Sequence, residues 1–152
     1  MENKENNNSL DNQKQEYDEA MLNAKSDLER RELTNNYYYK KEKLELEEEY
    51  KSTNNFAERQ WILDKMRQLD KNYYAEQCII DKCKRQEIYD DAMINAVSDN
   101  ERKELSNEFI YQEAIIELKE KLKNTSDPVQ SQLIKELIIQ YEEELKHNEE
   151  EK

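Results

Sequence analysis

The chain has 152 residues, of which 35% are hydrophobic and 40% charged, with no glycine, one proline and a net charge of −13 at neutral pH. A sequence without glycine argues against a β-rich fold, whose tight hairpin turns lean on Gly, and excludes a Gly-rich loop that cradles phosphate. The acidic balance, with a pI near 4.7, argues against direct contact with nucleic acid or an anionic membrane, since both are held by cations.

So few apolar residues must be used efficiently to outweigh the entropy of ordering the chain. Long amphipathic helices do this with a narrow apolar stripe, and the dominant Glu, Lys, Leu, Gln and Arg are good helix formers. The expected class is all-α.

In chain order, "MENKENNNSL" at 1–10 has no apolar core. It is expected to be a disordered polar tail and not a signal peptide. A first helix is expected over 11–24, with Tyr17, Ala20, Met21 and Ala24 on one face. "SDLE" at 26–29 is a capping box, Ser26 with Glu29 three residues on. A second helix follows over 27–51 and ends at "KSTNNF". A third starts near Asn55 and meets no breaker before Asn95. Read as one continuous helix over 55–96, it would be about 60 Å long; the alternative is a folded-back bundle with this helix broken, for example at Asp70-Lys71-Asn72. "SDNE" at 98–101 is a second capping box, and a fourth helix is expected over 99–123. Asp127 then caps a fifth helix that opens on Pro128. That helix, over 128–147, places Val129, Leu133, Ile134, Leu137, Ile138, Tyr141 and Leu145 on one side. Residues 149–152 are an acidic tail. No stretch approaches the ~18 apolar residues of a membrane span.

"YDEAMLNAKSDLERREL" at 17–33 returns as "YDDAMINAVSDNERKEL" at 89–105. Aligned without gaps, 17–51 and 89–123 share 18 of 35 residues. Beyond them apolar type persists, Trp61 matching Leu133 and Ile62 matching Ile134. The expected architecture is therefore two tandem three-helix repeats of period 72, at 11–72 and 73–148. They share the long central helix in an elongated, coiled-coil-like array.

Within the repeat, Asn23, Asp27, Arg30, Glu32 and Asn35 recur as Asn95, Asp99, Arg102, Glu104 and Asn107. Capping and intrahelical ion pairing account for most of this. A partner-binding face present twice is the sharper reading, and it makes Asp27, Arg30, Asp99 and Arg102 candidates. "NNYYYKKEK" at 35–43 mixes aromatics with cations as single-strand binders do, but its second copy, "NEFIYQEAI", is not basic. Three bulky residues in a row span about 200° of a helix, more than one flank hides. Tyr38 and Ile110, at matching positions, are the candidates for contact with a partner or a second copy. Trp61 beside Ile62 is expected to pack in the core.

Catalytic and metal chemistry find little support. His147, the single histidine, forms one Glu-x-x-His spacing with Glu144, where a di-iron bundle needs two. Cys78 and Cys83 would point about 140° apart on one helix, so they do not bridge each other, and a reduced cytoplasmic compartment is the simpler expectation. No cofactor is expected. The expected function is a non-catalytic scaffold or adaptor that binds other protein chains, itself included. The alternative is an acidic inhibitor that mimics nucleic-acid charge and blocks the basic groove of a nucleic-acid-binding enzyme.

Overall fold

The computed structural model describes the backbone of residues 2–150 and the side chains of 10–150. It is all-helical, with no strand among the described residues. Five helices follow in order: α1 (Glu2–Asn23), α2 (Asp27–Ser52), α3 (Phe56–Asn95), α4 (Asp99–Lys123) and α5 (Pro128–Glu150). The later boundaries fall within a few residues of the sequence expectation. The ends of the chain differ from it. Helix α1 runs back through residues 2–10, read above as a disordered tail, and that segment holds neither Gly nor Pro to stop it. Helix α5 continues through 149–150 of the acidic tail, and 151–152 lie outside the described residues.

The chain divides into two compact units, Met1–Gln86 and Glu87–Lys152. The sequence period put the joint at 72/73. The units part later because residues of α3 beyond 72 are tied to α2: Tyr73 donates to Asn36, Glu76 pairs with Arg31, and Lys84 pairs with Glu32.

In the first unit α1 packs on α2. Tyr17 stacks on Tyr37, ring centroids 4.3 Å apart, and shares a hydrogen bond with Thr34. Between α2 and α3, Tyr39 stacks on Tyr73 at 4.1 Å. Among the described residues of this unit the buried apolar side chains are Ala24, Ile62 and Ile80. Trp61, expected in the core, is 55% exposed. Neighbours on a helix point about 100° apart, and Ile62 takes the inward position. The Lys65 ammonium lies over the Trp61 ring, 3.7 Å from its centroid.

In the second unit α4 packs on α5. Ile115, Ile134 and Ile138 form its core, flanked by Leu118, Leu122, Tyr141 and Leu145. Tyr89 stacks on Phe109 at 4.2 Å, the counterpart of Tyr17 on Tyr37. The apolar side of α5 is wider than what covers it: Val129, Leu133 and Leu137 are exposed.

The two turns that separate α1 from α2 and α3 from α4 are built alike. Ser26 Oγ accepts from Glu29 N at 3.0 Å, and Ser98 Oγ from Glu101 N at 3.1 Å. Each glutamate reaches back, Glu29 to Lys25 N and Glu101 to Val97 N, both at 2.8 Å. Asp127 caps α5 through Val129 N at 2.8 Å. Because each cap serine satisfies a helix-end donor, Ser26→Ala and Ser98→Ala should each cost about 1 kcal/mol. Chemical denaturation of the two single variants, with an unchanged slope and a lowered midpoint, is the expected result.

Candidate functional site

The repeated polar residues are bound up in the turns. Arg30 donates through Nη1 to Asp27 Oδ1 at 2.8 Å and through Nη2 to Ala24 O at 3.0 Å. Arg102 does the same to Asp99 at 2.9 Å and to Ala96 O at 2.9 Å. Each arginine thus ties the last carbonyls of one helix to the first turn of the next. Ala24 and Ala96 are buried beneath these forks. The Asp27 and Asp99 side chains stay fully open to solvent on their outer side. Glu32 and Asn35 work between helices: Glu32 pairs with Lys84 and accepts from Gln77, and Asn35 donates to Tyr73 O.

Tyr38 and Ile110 each lie in their own unit. Tyr38 is 49% exposed and Ile110 60%. Tyr38 meets Tyr37 and Tyr17 edge-on, at 5.3 and 6.3 Å. Its outer edge lines a groove between α2 and α3.

That groove escaped the sequence reading. It has a volume of about 430 Å³, and its apolar wall is Tyr38, Tyr39, Leu69 and Tyr73. Arg31 and Glu76 close one end with a bidentate ion pair. A second stretch of the same size continues it and shares Glu42, Leu69 and Asn72 with the first. Leu46 extends the apolar lining there, and Glu42, Glu45 and Glu49 stand along the α2 rim, all exposed. Recognising the groove requires knowing which residues of α3 oppose which residues of α2. The nearest signal in the sequence is the row Ile62, Met66, Leu69, Tyr73 on α3.

The electrostatics of the seam follow from its bonds. Arg31 holds the Glu76 carboxyl below its ordinary range, and Lys84, with help from Gln77, does the same for Glu32. Tyr39 donates to Asp70 at 2.7 Å and accepts from Lys43 at 2.8 Å. The lysine pulls the phenol down, but the Asp70 bond and burial together outweigh it and leave the phenol raised.

Cys78 and Cys83 are free thiols. Among the described residues no three His, Cys, Asp or Glu side chains converge where a metal ion could sit. No described helix is long and apolar enough to cross a membrane. The chain matches no family model, no curated protein and no solved structure, so its function has to be read from its own residues.

The α2–α3 seam carries a pH dependence whose sign is fixed. Glu76 has a depressed pKa in the folded chain. Its contribution is present above the ordinary carboxylate pKa and is lost as pH falls through the folded value. Glu76→Gln should therefore lower the thermal midpoint at pH 7. The gap between the parent chain and the variant should close as pH is taken below the ordinary carboxylate range. Comparing the two chains cancels the general relief of self-repulsion that acid brings to a strongly negative protein.

Proposed function

We propose that the chain is a non-catalytic helical scaffold or adaptor that acts through protein–protein contact. It is built from two copies of one three-helix module that share α3. The observation that carries this reading is the matched exposure of Tyr38 and Ile110. Among the described residues seven apolar side chains are buried while sixteen large ones are exposed. Where such side chains form a contiguous patch they mark an interface, and Tyr38 and Ile110 are the ones assigned that part here. The module itself is supported by geometry at corresponding positions: the Ser26 and Ser98 caps, the Arg30 and Arg102 forks, and the ring stacks of Tyr17 on Tyr37 and Tyr89 on Phe109. The two free cysteines favour a reducing, cytoplasmic setting.

An acidic mimic of nucleic acid needs rows of carboxylates free of cations. One short row, Glu42, Glu45 and Glu49 on α2, is of this kind, but Arg31–Glu76, Lys84–Glu32, Lys43–Asp70 and Lys119–Glu142 interleave the two signs elsewhere, which favours the scaffold. The test is the double variant Tyr38→Lys, Ile110→Lys, followed by circular dichroism and sedimentation. Helicity should be retained, and the sedimented mass or the capture of a partner should fall. A variant that stays folded and still assembles would overturn the reading. Binding to a basic protein that DNA competes away, and that collapses with salt, would move the function to the mimic.

A further inference from the structure

We infer that the groove between α2 and α3 of the first unit is a docking site for a basic amphipathic helix of another protein. This inference rests on the interaction-protein reading above and names the partner of one surface.

The groove supplies what such a helix needs. Its wall of Tyr38, Tyr39, Leu69 and Tyr73 is apolar, and Leu46 continues that lining along the second stretch. An amphipathic helix lays its apolar face into such a groove. From Arg31 to Glu49 the α2 side rises about 27 Å at 1.5 Å per residue, room for five turns of a partner helix. The rim sets the polar complement. Glu42, Glu45 and Glu49 are spaced three and four residues apart on α2, so their rises are about 4.5 and 6 Å. A helix lying alongside presents Lys or Arg at i, i+3 and i+7 with the same spacing. An extended peptide repeats one face every ~6.6 Å and misses it. None of the three carboxylates takes part in an ion pair among the described residues. Lys65, the one cation lining this stretch, sits over the Trp61 ring instead.

Charge also says that the occupant is not a second copy. No helix of this chain carries more Lys and Arg than Asp and Glu. Laying any of them along the rim would set net negative charge against three open carboxylates.

Trp61 is the sole tryptophan, and its cover, Lys65, lines the groove, so binding has a built-in reporter. The probe is a synthetic 18-residue helix of Leu and Lys with the lysines on one face, titrated into the full chain at 0.15 M salt. The expected result is saturable one-to-one binding by calorimetry with a change in Trp61 emission. Glu42→Gln, Glu45→Gln, Glu49→Gln together should weaken it about tenfold, in keeping with the loss of three complementary charges. Glu143→Gln, Glu144→Gln, Glu149→Gln on α5 removes the same charge elsewhere and should change it less than about twofold. Tyr38→Ala tests the apolar wall separately and should also weaken binding. Equal weakening by the two triple variants, or no response to the rim triple, would overturn the inference. So would absence of binding by the parent chain. Tyr38 lines the groove but Ile110 does not, so Ile110→Lys alone measures the assembly separately, and the groove can fail while the scaffold stands.

Discussion

The stack of Tyr39 on Tyr73 joins α2 to α3 midway along their shared seam. On α3 it lies eleven residues from Ile62 and seven from Ile80, three turns and two turns along one helical face. Apart from the small Ala24, those two isoleucines are the only buried apolar side chains among the described residues of the first unit. Between them Met66 and Leu69 are only half-buried, and no aliphatic side chain of α3 is fully covered there. Tyrosine fills that stretch because a ring offers apolar area on its faces and a hydroxyl at its tip. Tyr39 spends its hydroxyl on Asp70 and Lys43, and Tyr73 spends its own on Asn36. The ion pairs Arg31–Glu76 and Lys84–Glu32 then fall further along the same seam. The groove wall, the ion pairs and the perturbed carboxylates all depend on that registration.

The turns answer a different problem, how to end helices without glycine. A helix end leaves carbonyls without partners, and the common solution places Gly in a left-handed conformation just beyond the end. Among the described residues no position has a positive φ. The fork of Arg30 supplies the donor instead, to Ala24 O, while its other arm holds Asp27. Arg102 repeats this at Ala96. The serine caps satisfy the start of the following helix within the same few residues. A stretch of this kind closes its own hydrogen bonds, and that is reason enough for it to occur twice.

The helices were legible because their signals are local. Capping boxes at Ser26 and Ser98, the Asp127–Pro128 start and the absence of any breaker between 56 and 95 set the boundaries. Periodicity was a weaker guide to burial. It says which residues share a face, and not how much of that face a neighbour covers. Hence Val129, Leu133 and Leu137 are exposed although they continue the stripe of Ile134 and Ile138, and Trp61 yields the inward position to Ile62. The crowding argument did single out Tyr38, which lines the groove. The rest of the groove was hidden because Tyr39 and Tyr73 stand 34 residues apart, and nothing in one helix reports the register of another.

The matched positions of the two copies of the sequence repeat also differ in an instructive way. Trp61 and Lys65 correspond, 72 residues on, to Leu133 and Leu137. In the first unit the Lys65 ammonium covers the ring, a cation–π contact that keeps an exposed aromatic face occupied. In the second the same flank of the helix is aliphatic, with Val129 added to it, and nothing charged replaces the lysine. The surrounding stretch from Pro128 to Tyr141 holds one cation, Lys135, and one anion, Glu136, in a chain whose helices are otherwise dense with charge. The carboxylate row of the first unit fares the same way: Glu42, Glu45 and Glu49 correspond to Ala114, Glu117 and Lys121. Turn chemistry is common to both copies of the repeated sequence because each helix end has the same carbonyls and amides to satisfy. The flanks carry no such obligation, and there the first unit presents an acid-rimmed aromatic groove and the second a neutral aliphatic row.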